Sequence, residues 1–457
     1  MTVTPAPGGA PAPARPRTRL LRALGTPPGR LRLAGLVLAG LVLAFGVTAG
    51  WQTVRRAQSA DAVVERSQPL SQDAAEIYRS LADADTTAAT GFLLAGGEPQ
   101  SVRRRYEQDL DRASQLLARA AARTTASSDS QRWLSALNEQ LPVYAGLVET
   151  ARSYNRQGLP LGGAYLRFAS TLMQQQDQLH PDDPYRAHGM LAAAQKLYEA
   201  QTGQLRRDYT GARAVPWAAA VLGTLALGAL VRFQIGLSRR TNRVFNPGLL
   251  AASAATAAAL LWLLAGHGAA RDDLADSDRH GAAPLRMLDQ ARIQALQCRG
   301  AENLNLVARG STTQYAERWD SVTRQLAGSD GSGGTLADSL RLAAGDTEGT
   351  ARVRAATADF RSWDKLHGTA AASSDDGDYQ AAVDATVGQG AATTDRAFER
   401  MDHELAAAAA HEQRDFEAAA DHGRGALSGL AAGTGVLAVL ATAGALLGIG
   451  RRLAEYQ

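Results

Sequence analysis

Apolar residues along this chain gather into four blocks, and charged residues fill the stretches between them. Counting between flanking arginines gives four windows free of Asp, Glu, Lys and Arg: 22 residues between Arg32 and Arg55, 18 between Arg213 and Arg232, 27 between Arg243 and Arg271, and 26 between Arg424 and Arg451. About 20 apolar residues at ~1.5 Å rise cross a ~30 Å hydrocarbon core, so each window can span a bilayer. The pattern predicts spans at 31–51, 214–235, 248–266 and 426–450. Val47-Thr48-Ala49 resembles a signal-peptide cleavage site, but the apolar run before it exceeds the ~7–15 residues of a signal core, which favours a retained span. Either way, the stretch that follows is exported.

The two long stretches, 52–213 and 267–425, hold 162 and 159 residues. Their apolar positions step by three and four. Leu70, Ile77, Leu81, Ala84, Ala88 and Phe92 form one stripe, and Val102, Tyr106, Ala113, Leu117 and Ala120 a second. Trp133, Leu137, Tyr144, Val148 and Ala151 form a third, and Leu191, Ala194, Tyr198 and Leu205 a fourth. Such seams suit antiparallel helical bundles. Breaks fall at Gly96-Gly97-Glu98-Pro99, Ser127-Ser128-Asp129 and Gly158-Leu159-Pro160, and in the second stretch at Gly310, Gly328 to Gly334, Gly345 to Gly349 and Ser373 to Gly377. Strand signals are nearly absent. No Pro/Gly cluster separates Trp51 from Ala57 or Phe416 from Gly423, so the first and last helices of each bundle are expected to run on into the neighbouring spans. Pro216 sits where the second span begins and can bend that entry.

The order span, stretch, span, short link, span, stretch, span reads as a duplication. At an offset of 213 to 215 residues Pro69-Leu70 pairs with Pro284-Leu285, and Arg105-Tyr106-Glu107 with Arg318-Trp319-Asp320. The expected fold class is therefore an all-α membrane protein with four transmembrane helices and two tandem extracytoplasmic helical bundles of the four-helix sensor type.

Charge sets the orientation. Residues 1–30 are rich in Pro, Gly and Arg and cannot build a core, so they are expected to form a disordered basic cytoplasmic tail along anionic lipid. The link 236–247 carries Arg239, Arg240 and Arg243, and the tail 451–457 begins Arg451-Arg452, in both cases with basic residues crowding the span ends. The positive-inside rule places these segments and both termini in the cytoplasm and both bundles outside. The same five arginines are candidate contacts for a cytoplasmic partner.

Composition narrows the function. The 457 residues carry 48 Lys+Arg against 45 Asp+Glu, a formal net charge of +3, and no basic stripe interleaved with aromatics, which argues against a nucleic-acid binder. One cysteine excludes an internal disulfide framework, and Cys298 reads as a small buried apolar residue. His403-Glu404 and His411-Glu412 lie eight residues apart rather than at the i, i+4 spacing of a zincin helix. No phosphate-binding loop, dinucleotide fingerprint or nucleophile elbow is present, so no catalytic residue, cofactor or metal is expected. The spans lack interior ionisable residues, which disfavours an ion-coupled transporter. Small residues at four-residue spacing, Gly46 and Gly50, Ala251, Ala255 and Ala259, and Gly425, Gly429 and Gly433, permit close helix packing.

One candidate sensor layer stands out. Glu302, Asn305 and Arg309 enter an otherwise apolar seam in the second stretch, and Asp83, Asp85, Thr86 and Thr87 are their counterparts in the first. They form a polar pocket, a loosened layer where two helices can slide or, if the register drifts, an exposed face. The few aromatics and Ala/Leu-rich seams offer no enclosed polar site for a small zwitterion.

Several segments resemble the actinobacterial GlnX family: Gly163-Ala164-Tyr165-Leu166-Arg167-Phe168-Ala169-Ser170-Thr171-Leu172-Met173, Lys196-Leu197-Tyr198-Glu199-Ala200, Glu302 to Gly310, and His411-Glu412-Gln413-Arg414-Asp415-Phe416. The resemblance covers about residues 30–457 and implies four spans with two helical outer domains. It further implies an amino-acid-sensing relay between a solute-binding lipoprotein like GlnH outside and a Ser/Thr kinase like PknG inside. The connection from Gln174 to Gly189 is longer and more polar than the family pattern. The outer stretches also resemble the four-helix sensor bundles of chemoreceptors more loosely. A structural or assembly protein of the envelope is the alternative function, and the sequence leaves a homodimer open.

Overall fold

The computed structural model describes residues 27–94, 97–124, 128–159, 161–174, 182–241, 246–309, 312–388 and 390–454, and every regular element among them is a helix. The expected disordered tail falls mostly outside these residues, as do Arg243 and most of the early part of the Gln174–Gly189 connection. Four helices are long and apolar enough to cross a membrane, so this is an all-α, multi-pass membrane protein. The chain divides into two compact units, one made of the segments up to Ala57, Ala214–Arg271 and from Gly425 onward, the other of Gln58–Arg213 and Asp272–Arg424.

The first unit is built from parts of α1 (Pro27–Ala62), α7 (Trp217–Thr241), α8 (Pro247–Ser277) and α15 (Leu430–Ala454). Leu36, Val47, Leu261 and Leu447 are exposed on its surface, an arrangement that water penalises and lipid tails accommodate. Inside it, Leu38, Val42, Leu230, Leu249 and Ala445 share an apolar core. Small residues do permit close contact, but only in part where the spacing suggested. A Cβ added at Gly46 would meet that of Ala438, and one at Gly433 would meet the Trp262 ring, whereas Gly50, Gly425 and Gly429 face open space. A close backbone approach in this unit is one the spacing did not single out: a Cβ at Gly248 would lie 2.7 Å from the Gly444 carbonyl oxygen and the Gly448 Cα. Gln234 adds hydrogen bonds from its Nε2 to the Leu249 carbonyl (2.8 Å) and Ser253 Oγ (2.7 Å).

The second unit holds α2 (Gln68–Leu93), α3 (Gln100–Arg123), α4 (Asp129–Arg156), α5 (Leu161–Gln174) and α6 (Met190–Ala212) from the first stretch. The second stretch supplies α9 (Ala283–Ala308), α10 (Gln314–Ala327), α11 (Gly334–Leu342), α12 (Thr347–Asp375), α13 (Tyr379–Val387) and most of α14 (Thr394–Leu427). The seam residues are its core: Ile77, Leu81, Tyr106, Leu117, Leu137, Tyr144 and Leu197 are all almost fully buried. The two stretches do not form separate cores. One apolar cluster runs from Leu70 through Met173 and Leu288 to Ala408, and α2 packs on α3 and α6 of its own half and on α9 of the other. The central pair α2 and α9 is therefore enclosed on nearly all sides, which is why so many of its polar residues are buried.

The junctions before α2 and α9 are alike. Each helix is preceded by one π-turn, Val63–Ser67 and Asp278–Ala282, and each carries a proline in its first turn, Pro69 and Pro284. A proline has no N–H to give the carbonyl four residues back and its ring crowds that carbonyl. The wider turn relieves this, with Gln68 N–H bonding the Val63 carbonyl and Ala283 N–H the Asp278 carbonyl, both five residues back. The chain thus stays helical from α1 into α2 and from α8 into α9, as the sequence suggested. The returning helices differ from expectation. Residues 213–216 leave the helix before α7, where Pro216 cannot continue the preceding ladder, and Arg56 Nε caps the freed Ala214 carbonyl at 2.5 Å. At Ser428-Gly429 the helix ends again, Gly429 taking φ +75°, which suits a glycine just past a helix end.

Candidate functional site

The seven residues singled out from the sequence do not form one layer. Asp83 and Asp85, two apart on α2, point to different partners. Asp85 is buried within its own half and accepts hydrogen bonds from Gln174 Nε2 (2.7 Å), Ser170 Oγ (3.1 Å) and Tyr144 Oη (3.1 Å). Burial raises its pKa, and these three donors oppose that shift by favouring the carboxylate. Glu302 on α9 is its analogue in the other half: buried, it faces Trp363 Nε1 at 3.2 Å and His367 Nδ1 at 2.8 Å. The His367 ring stacks on Trp319 at 3.6 Å. Each half therefore ties its central helix to its outer helices through one buried acid.

Asp83 instead turns toward the second half. Arg299 on α9 reaches it at 3.0 Å and reaches Asp395 of α14 at 2.5 Å, while Arg105 joins Asp83 at 3.2 Å and Glu399 at 2.8 Å. The Arg299 guanidinium also lies over the Phe398 ring at 4.6 Å. Farther along the same pair of helices Arg79 bonds Asp289 at 2.7 Å, Gln297 Nε2 donates to Tyr78 Oη at 2.6 Å, and Asn303 Nδ2 donates to Thr90 Oγ1 at 2.9 Å. Thr86 and Thr87 are buried, Thr86 Oγ1 bonding the Ala82 carbonyl at 2.8 Å. Asn305 is half-buried. The expectation of an exposed drifting face thus fails for Asp85, Thr86, Thr87 and Glu302: Asp85 and Glu302 are covered by helices of their own halves, and α9 packs on α2 beside Thr86, whose carbonyl accepts from Asn303 Nδ2 at 3.5 Å.

Arg309 is exposed and ends α9 in the left-handed region, with φ 48°. Its guanidinium lies over the Tyr379 ring at 4.4 Å, and it borders a cleft of about 810 Å³ between the two halves. Arg103, Arg152 and Arg156 line the same cleft, and among the described residues Glu98 is its only acidic one. The cleft was not singled out from the sequence. It is assembled from residues far apart in sequence, so no local motif announced it.

Residues 59–210 match the family described as actinobacterial sensor domain. The sensor-domain segment thus coincides with the first stretch, from the end of α1 to the end of α6, and includes Asp83, Asp85 and three of the cleft arginines. No curated protein and no solved structure matches the chain.

The remaining candidates fall in plain structural settings. Cys298 is buried, 3.6 Å from Thr323 Oγ1, and burial pushes its thiol up to about 12. His411 lies 3.0 Å from Asp346, and Glu404 pairs with Arg352 at 3.2 Å. Among the described residues no group of His, Cys, Asp and Glu is placed to hold a metal ion. Arg239 is exposed near the end of α7, Arg240 lies in the same helix, and Arg451 and Arg452 lie in the last turns of α15.

Proposed function

We propose that this sensor-type membrane protein is a relay, not an enzyme, coupling an extracytoplasmic amino-acid-binding lipoprotein to a cytoplasmic Ser/Thr kinase. The observation that carries the reading is the sensor-domain match over residues 59–210 in a chain with four apolar, membrane-length helices. The charge pattern supports the topology: Arg32, Arg239, Arg240, Arg451 and Arg452 sit at one set of span ends, which puts both termini inside and both stretches outside. The duplicated reading is supported by α2 and α9, both 26 residues long, each behind a five-residue π-turn and each with a proline in its first turn. A helix that stays unbroken from α1 into α2 can carry a small rotation along its axis. The finer identity, with a GlnH-like lipoprotein and a PknG-like kinase, rests on the resemblance of the segments around Tyr165, Tyr198, Glu302 and His411 to the GlnX family.

A relay can respond only to a difference in affinity, since a partner that binds two states equally shifts neither. The test is calorimetry of the full chain in lipid nanodiscs against the lipoprotein with and without its amino acid. The relay predicts affinities that differ at least tenfold between the two forms. Equal affinities, or no binding of either, would overturn the proposed partnership.

A further inference from the structure

The 810 Å³ cleft where α2 and α9 end lies within the range of small-molecule sites. Both halves build it. Arg103, Arg152 and Arg156 come from α3 and α4, while Arg309 and Tyr379 come from the second stretch. Phe92, Leu166 and Val307 supply an apolar lining.

The charge in this cleft is unbalanced in a specific way. Arg152 is nearly buried and satisfied by Glu98 and Glu149, both at 2.6 Å. Arg103 pairs with Glu107 at 2.9 Å and Glu149 at 3.2 Å. Arg156 and Arg309 have no carboxylate partner among the described residues. Two arginines without a carboxylate partner among the described residues thus line one cleft from opposite halves, while Glu98 beside them is taken up by Arg152.

Arg309 is also held there at a cost. It is the only non-glycine residue with positive φ among the described residues, a conformation that side chains with a Cβ adopt rarely and that clusters at functional sites. Its guanidinium carbon lies 4.4 Å from the centre of the Tyr379 ring, and a guanidinium offers a carboxylate paired N–H donors.

We propose that the cleft binds a small organic dicarboxylate, one carboxylate on Arg156, the other on Arg309, and the carbon chain over the apolar lining. Such a ligand bridges the two halves. The site is independent of the lipoprotein and kinase reading, because it rests on the cleft alone.

The test is calorimetry of the full chain in nanodiscs of uncharged lipid, titrated with glutarate and adipate, with butyrate and sulfate as controls. Saturable binding is expected for at least one dicarboxylate, at least tenfold tighter than butyrate or sulfate, and weakening as NaCl is raised. R156Q and R309G should each weaken it at least tenfold, and R309G removes the charge while giving the backbone the residue its φ favours. R104Q, an exposed arginine on α3 outside the cleft, should leave it unchanged. The absence of saturable dicarboxylate binding at millimolar concentration, equal affinity for butyrate or sulfate, or unchanged binding in both variants would overturn the proposal. Circular dichroism confirms that each variant remains folded.

Discussion

Replacing Arg299 with methionine isolates the contact that ties the two stretches into one unit. The Arg299 side chain is 3% exposed and bridges Asp83 of the first half and Asp395 of the second. Methionine keeps the apolar stem and removes the charge, so two carboxylates lose their shared cation while still partly desolvated. Removing one partner of a buried ion pair costs about 3–5 kcal/mol. Here the acids are 21% and 24% exposed, and Asp83 keeps Arg105, so water and the second arginine offset part of that loss. Contact with the Phe398 face adds roughly 1 kcal/mol in the other direction. The expected loss is about 3 kcal/mol. Urea unfolding of the full chain in detergent measures it, with tryptophan fluorescence as the signal, because Trp363 packs 5.3 Å from Phe398 beside the network. Adding D83N and D395N to R299M removes the stranded charges and should recover all but about 1 kcal/mol. A loss below ~1 kcal/mol for R299M, or a triple variant no better than the single one, would refute the reasoning.

Other consequences follow from the same structure. Burial beside Asp83 pushes Asp109 from 3.8 up to about 7, against the pull of Arg105 and Arg299 and with Glu76 also facing it. The folded state then holds a proton that the unfolded chain has already lost, so this residue lowers stability as pH rises from about 4 to 7. D109N should be more stable than the parent at neutral pH and should match it near pH 4; identical pH profiles in urea melts would contradict this. A Cβ at Gly281 would sit 2.7 Å from the Phe416 Cα, so G281A should cost about 1–3 kcal/mol in the same melts. A neutral effect would mean that the π-turn does not lie against α14. Reporter fusions at Gly97 and Gly331, both in turns with open space around the Cα, should be active only with an export-dependent enzyme; activity of a cytoplasm-dependent reporter at either site would reverse the topology.

Local periodicity carried much of this fold. Stripes such as Leu70, Ile77, Leu81 and Ala84 foretold a buried face because a helix repeats every 3.6 residues, and the four charge-free windows foretold the spans. The pairing of α2 with α9 left no local trace. It joins residues more than 200 positions apart, as in Arg79 with Asp289 and Asp83 with Arg299. Polar residues such as Asp85, Thr87 and Glu302 therefore looked like breaks in a seam, when they lie on helices enclosed from several sides. Arg299 and Asn303 were missed for the same reason, although a charged arginine so near Glu302 on a buried helix was a usable signal. The interruption at 213–216 was marked by Pro216, and Gly429 could have been read as a residue just past a helix end. The cleft needed the loops at both helix ends in place before Arg156 and Arg309 could be seen to share it.

The central claim is that binding outside changes the protein inside, and spin labels at Arg239 and Arg451 measure this most directly. With the full chain in nanodiscs, the distance between them is recorded alone, with the empty lipoprotein and with the amino-acid-loaded lipoprotein. The relay predicts a distance distribution that shifts between the empty and loaded forms and returns when the amino acid is removed. An unchanged distribution with the lipoprotein demonstrably bound would contradict the relay and leave an assembly role in the envelope as the better account.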